Sequence, residues 1–226
     1  MKKLVQGIVD FRKKLLPEDR KKFAKLALGQ TPDALFVCCS DSRVAPNVFA
    51  STEPGDLFVI RNPGNFFPPC GIHGLSVGDQ SEVAALEYAL LNLQVDDIII
   101  CGHSECGAMK SLFHGTKTSN APHVDAWLAH GQPALELLKE KAGGDCNLSS
   151  ENLLSQLNVL QQVKHIHTYP LVKSQVSAKK LSVHAWWFDI GKADVYTYNE
   201  SLDRFVIIDD TSADSILNKS SSFDIS

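Results

Sequence analysis

Two short segments of this 226-residue chain carry the side chains best suited to chemistry. Cys39-Ser40-Asp41-Ser42-Arg43 sets a thiol, a carboxylate and a guanidinium close together, and His103-Ser104-Glu105-Cys106 adds an imidazole and a second thiol. Thiolate and imidazole are the ligands zinc favours, and two cysteines with one histidine leave a fourth tetrahedral position open. A cysteine at the start of a helix is easier to ionise, because the free N–H groups there carry partial positive charge. Asp41 has a use beside such a position, since a carboxylate can orient a bound water, and Arg43 can hold it ionised through a charge-assisted hydrogen bond. The bland reading of that pair is an ordinary Asp–Arg contact in a turn.

Bland readings exist for the ligands as well. Cys39 could be a core cysteine like its neighbour Cys38, Cys101 lies in an apolar run where burial is the default, and His103 could simply cap a helix. A closed structural zinc site, with Cys38 or Cys101 as fourth ligand, is the other alternative. Adjacent strand residues point to opposite faces, which argues against Cys38 joining Cys39. Cys101 shares the face of His103 and is the stronger competitor. His73, His114 and His123 fall in loops, where solvated histidines are the norm, and none identifies itself as a proton carrier.

The elements that must position these residues can be read from periodicity. Ala34–Cys39 (ALFVCC), Asp56–Ile60 and Asp97–Cys101 are short apolar runs of strand length, and Glu82–Leu93 is rich in helix formers with an apolar stripe. Strand, crossover helix and strand predict a parallel sheet covered on both faces. Ligands of such sheets bind beyond the carboxyl ends of the strands, where both candidate segments stand. If the two strands are neighbours, Cys39, His103 and Cys106 meet in space. Further helices are predicted at about Pro122–Lys141 and Ser149–His167, separated by a Gly-Gly turn, with Ser149 as a cap. Leu181–Ile190, Asp194–Tyr198 and Arg204–Ile208 read as late strands. At the start, Leu4, Ile8, Phe11 and Leu15 recur at helical spacing, and Pro17 suits the first turn of a second helix bearing Phe23, Leu26 and Leu28.

The expected fold is therefore α/β, a single domain with a mostly parallel central sheet flanked by helices, plus an N-terminal helical arm. The expected divisions are the arm at 1–30, an α/β domain at 31–210 that carries the candidate zinc site, and a loose Ser- and Asp-rich tail at 211–226.

Composition sets outer bounds. Hydrophobic residues make up 44% and charged ones 21%, as in ordinary globular proteins. No apolar run approaches the roughly 20 residues of a membrane span, and the N-terminus lacks a signal-peptide pattern, so a cytoplasmic protein without membrane contact is expected. Residues 1–28 hold nine Lys/Arg against three Asp/Glu, while the net charge is −4. Two amphipathic helices with a solvated face explain that asymmetry, and nothing else resembles a nucleic-acid reader. Six cysteines, at 38, 39, 70, 101, 106 and 146, fit metal binding or burial better than a disulfide framework.

Cys39-x-Asp41-x-Arg43 with His103-x-x-Cys106, 63 residues lying between Cys39 and His103, resembles the β-class carbonic anhydrases. The resemblance runs through Glu53-Pro54-Gly55-Asp56, Arg61-Asn62, Asn65, Glu87-Tyr88-Ala89 and Gly102-His103-Ser104, and covers roughly residues 30–208. It implies one zinc per chain held by Cys39, His103 and Cys106, with Asp41 and Arg43 as a catalytic dyad at the fourth position. It also implies a second state in which Asp41 itself ligates zinc, and a homo-oligomer built from dimers whose N-terminal helices embrace the partner. The implied substrates are carbon dioxide and bicarbonate. Zinc lowers the pKa of a bound water from about 15.7 to about 7 in the best-known case, and two thiolates should make this a weaker Lewis acid than three histidines would. Two other functions fit such a site: hydrolysis of another small linear electrophile (carbon disulfide or carbonyl sulfide), and a non-catalytic zinc module. Some β-class enzymes also share a non-catalytic bicarbonate pocket built from a Trp, an Arg and a Tyr. The matching positions here are Phe36, Arg61 and Phe188, which predicts that the pocket is lost, because phenylalanine has no polar hydrogen to donate. Trp186 and Trp187 stand close enough to supply an N–H if that register slips.

Overall fold

The computed structural model describes residues 1–116, 120–140 and 148–217. The chain divides into two compact units, Met1–Thr31 and Pro32–Ser226. The first consists of α1 (Lys2–Lys14) and α2 (Pro17–Leu26). Leu16 N–H donates to the Asp19 carboxylate at 2.9 Å, and Pro17 opens α2, where a missing N–H costs nothing. Phe11 and Phe23 meet edge to face, yet Leu4, Val5, Ile8 and Phe11 all stay exposed.

The second unit is built on a six-stranded sheet. In chain order it comprises β1 (Ala34–Cys39), α3 (Pro46–Phe49), β2 (Leu57–Asn62), α4 (Ser81–Glu87), which continues as a π-helical segment Tyr88–Leu93, and β3 (Asp97–His103). There follow α5 (Gly107–His114), α6 (Pro122–Leu128), α7 (Gln132–Glu140), α8 (Ser150–Ile166), α9 (Pro170–Ser177), β4 (Ser182–Asp189), β5 (Asp194–Asn199), β6 (Arg204–Ile207) and α10 (Asp210–Leu217). The sheet order is β2-β1-β3-β4-β5-β6. The first four strands are parallel, and the late pair adds on antiparallel through hairpins.

β1 and β3 are the inner pair of the four parallel strands, and their apolar runs are buried on both sides, as expected for parallel strands. Leu35, Val37, Ile98 and Ile100 pack under α4, α8 and α9 on one face. Phe36, Cys38, Ile99 and Cys101 face the other way, against Phe49, Trp186 and Phe188. Burying a Phe or Leu side chain stabilises by roughly 1.5–3 kcal/mol each, so the alternation fixes the register firmly.

Two readings of the sequence need correction. The single helix from Pro122 breaks at Ala129–Gly131 into α6 and α7. Pro133 has no N–H to continue the ladder, and a Cβ on Gly131 would stand 2.6 Å from Leu112. The start of the tail forms α10: Asp209 accepts from the N–H groups of Thr211 and Ser212, while its own N–H reaches the Ser212 hydroxyl. Cys101 is not drawn toward His103 but pairs in register with Cys38 inside the apolar cluster. The expected Gly-Gly turn, residue Lys141, Cys146 and the end of the tail lie outside the described residues.

Candidate metal centre

Because β1 and β3 are neighbours in register, their carboxyl ends open side by side. Cys39 ends one, His103 ends the other, and Cys106 caps α5 three residues later. Their donor atoms all lie within 4.8 Å of one another, and all three residues are buried. Tetrahedral zinc with bonds of about 2.0–2.3 Å needs donors only slightly closer than that. His103 Nδ1 lies 2.8 Å from the Ser104 carbonyl, an acceptor, so Nδ1 carries the proton. Nε2 is then a bare lone pair, buried and without a hydrogen-bond partner among the described residues. A buried polar atom left so is costly unless something else fills it, and a metal ion fits that role.

Charge around the two sulfurs is arranged for one thiolate even before a metal arrives. Within this tightly interacting pair the Cys39 thiol is pulled down, chiefly by the hydrogen bond from Cys106 against the opposing effect of burial, with the Gly64 N–H adding to it. Cys106 is correspondingly pushed up, by the same bond and by burial. Gly64 N–H stands 3.3 Å from the Cys39 sulfur. That approach requires glycine: φ is +84°, and a Cβ would lie 2.7 Å from the Phe66 ring.

Asp41 and Arg43 follow β1 directly. Arg43 grips both carboxylate oxygens, Nε to Oδ1 at 2.9 Å and Nη2 to Oδ2 at 2.6 Å, and its backbone N–H also reaches Oδ1. The guanidinium holds the Asp41 carboxyl well below the usual carboxylate range. Arg43 also donates to the Glu105 carbonyl, tying the dyad to the His103–Cys106 turn. Arg61 lies underneath, its guanidinium spent on the carbonyls of Cys39, Asp41 and Val44. Phe36 and Phe188 are buried in the apolar cluster, with Phe49 stacked on Phe188 at 4.5 Å.

Cys39, His103 and Cys106 thus converge and Cys38 and Cys101 do not join them, while Asp41 and Arg43 stand outside the group, paired with each other and tied to it through the Glu105 carbonyl. Of the histidines expected in loops, His114 and His123 stand instead in α5 and α6, and His114 pairs with Glu151 and takes no part in the cluster. What the sequence reading missed lies in α8, where Asn152, Ser155 and Asn158 reach the backbone of Glu105, His103 and Gly64. In a helix with as many polar residues as α8, nothing in the sequence sets these three apart.

The carbonic anhydrase family matches residues 34–195. A carbonic anhydrase from Synechocystis is 40% identical over 210 residues, spanning 91% of this chain and 74% of that protein. The solved β-carbonic anhydrase CcaA superposes with a TM-score of 0.85 at 38% identity, covering 92% of each chain. One of two β-carbonic anhydrases of Sordaria macrospora described as tetrameric gives a TM-score of 0.75 at 27% identity, covering 86% of this chain and 94% of that one. The chain belongs to the carbonic anhydrase family, in its β class, whose members are zinc lyases interconverting carbon dioxide and bicarbonate.

Proposed function

We propose that this chain carries out the reversible hydration of carbon dioxide at one zinc held by Cys39, His103 and Cys106, with Asp41 and Arg43 beside the fourth position. The observation that carries the assignment is the bare, buried Nε2 of His103 facing two thiols within 4.8 Å. When bound, zinc makes a coordinated water acidic enough to serve as a nucleophile near neutral pH. Asp41 would accept a hydrogen bond from a water at that position and orient it toward the carbon of the substrate. Arg43 keeps Asp41 ionised and fixes its plane, so the carboxylate acts as an acceptor. Gly64 N–H draws negative charge off the Cys39 sulfur, which leaves the metal more positive than two free thiolates would. A second state belongs to the proposal, in which Asp41 would part from Arg43 and itself help to hold the zinc.

The working unit is a homo-oligomer of dimers. Supporting this, the apolar faces of α1 and α2 carry no buried residue, and the Sordaria relative is described as tetrameric. The proposed compartment is the cytoplasm, where the free thiols of Cys38, Cys39, Cys70, Cys101 and Cys106 would stay reduced. No described helix is long and apolar enough to cross a membrane.

Metal analysis and stopped-flow carbon dioxide hydration test the assignment together. The unaltered protein should hold about one zinc per chain and lose its activity to a chelator. Cys39→Ser, His103→Ala and Cys106→Ser should each lose both metal and turnover. Full zinc occupancy in all three variants would overturn the ligand set.

A further inference from the structure

Helix α8 supplies none of the proposed ligands, yet it touches every segment that does. Asn152 brackets Glu105, the residue between His103 and Cys106: its Oδ1 accepts the Glu105 N–H at 2.7 Å and its Nδ2 donates to the Glu105 carboxylate at 3.2 Å. Glu105 needs holding, since its φ of +57° is a left-handed conformation that non-glycine residues adopt at a cost. Ser155 donates to the His103 carbonyl at 2.8 Å, and it can do nothing else with that proton because Trp187 Nε1–H occupies its oxygen from the other side. Asn158 donates to the Gly64 carbonyl at 3.0 Å, and Gly64 is the residue whose N–H meets the Cys39 sulfur.

Residues 152, 155 and 158 share one broad flank of the helix, because a spacing of three falls just short of a full turn. Ser155 and Asn158 are buried, and Asn158 is backed by Gln162 Nε2 on its own oxygen. Close approach of the helix is licensed at Gly102, where a Cβ would stand 2.6 Å from Val159 and 3.2 Å from the Ser155 carbonyl. Three buried or half-buried polar side chains could have been apolar if α8 were only a packing element. Each instead spends its hydrogen bonds on backbone adjoining a donor atom.

We propose that Asn152, Ser155 and Asn158 are positioning residues that set the geometry of Cys39, His103 and Cys106 and retain the metal kinetically. The inference rests on the ligand assignment above. Partners in this outer layer typically govern metal affinity by factors of about 10–100.

The test uses the purified zinc protein and its cobalt-substituted form. Asn158→Ala, Ser155→Ala and the milder Asn152→Ala should release zinc to a chromophoric chelator roughly tenfold faster or more, and should shift the thiolate-to-cobalt charge-transfer bands. Val163→Ala, a cavity variant of the same helix packed in the core away from the site, should lower the melting temperature yet leave both readouts unchanged. Release rates that merely follow melting temperature across all four variants, or bands unmoved in the three polar ones, overturn the inference alone. Should Ser155→Ala or Asn158→Ala fail to fold, half-buried Asn152 decides it. Absence of thiolate-to-cobalt bands in the unaltered protein overturns the ligand assignment, and this inference with it.

Discussion

Cys38 and Cys101 stand opposite each other in register on the adjacent strands β1 and β3, both fully buried in the apolar cluster of Phe36 and Phe188. Burial pushes the Cys38 thiol up to about 12 and the Cys101 thiol well above its ordinary value, so neither is a nucleophile in the folded protein. Iodoacetamide at pH 8 followed by mass mapping should label half-buried Cys70 first and leave Cys38 and Cys101 untouched until denaturant is added. Labelling of Cys38 or Cys101 at the pace of Cys70 would show that the sheet opens there.

The dyad should be separable from the ligands. Asp41→Ala and Arg43→Ala remove no donor from the Cys39, His103 and Cys106 group, so zinc content should stay near that of the unaltered protein. Turnover should nevertheless drop by about 10²–10³, the typical loss when one preorganised polar contact at a developing charge is removed. Normal hydration rates in a folded Arg43→Ala protein would make the pair a structural turn contact.

His165 should make the fold sensitive to mild acid. Its Nδ1 donates to the Phe67 carbonyl at 2.9 Å, while Nε2 accepts from the Gln161 amide at 2.9 Å, a pattern open only to the neutral ring. Burial, joined by His130, holds its pKa below the usual histidine value against the opposing pull of the Phe67 carbonyl. A base with a depressed pKa binds fewer protons folded than unfolded, so its contribution is complete above about pH 6.5 and drains away as pH falls through the lowered value. Glu82, whose pKa is raised by burial, acts in the opposite sense, so a variant comparison is needed to isolate His165. The melting temperature of His165→Gln between pH 7.5 and 5.5 should fall less than that of the unaltered protein. Parallel curves would show that His165 does not titrate in unfolding.

Allosteric inhibition by bicarbonate through the second pocket should be absent. By the sequence resemblance Phe36 and Phe188 stand in place of that pocket's aromatic donors; both are buried in the apolar cluster, and Arg61 is committed to three carbonyls. Trp187 spends its N–H on Ser155, which leaves Trp186 as an aromatic donor in that cluster with no bond of its own. Two lost hydrogen bonds to an anion, at roughly 1.5–3 kcal/mol each, weaken such a pocket by at least about two orders of magnitude. Initial rates against bicarbonate from pH 7 to 9 should be hyperbolic in both directions. Sigmoidal curves that become hyperbolic in Trp186→Phe would restore the pocket through that indole.

The sequence by itself determined the parts of this protein that local rules govern. Apolar runs such as ALFVCC can only be buried strands, Pro17 can only sit in a first turn, and the types of Cys39, His103 and Cys106 name the chemistry wherever they meet. Folding decided whether they meet, because strand adjacency depends on how the crossover packs across the whole sheet, and β1 came to lie between β2 and β3. Only the tertiary structure could discard Cys101, whose strand parity matched His103 but whose register with Cys38 buried it in the opposite cluster. The same holds for Asn152, Ser155 and Asn158. A polar residue in a helix reads as solvated until its partners are known, and here those partners, Glu105, His103 and Gly64, lie 47 to 94 residues away in the chain. Hydrogen bonds of that span leave no periodic trace, since their geometry exists only after β3 and α8 have closed on each other at Gly102.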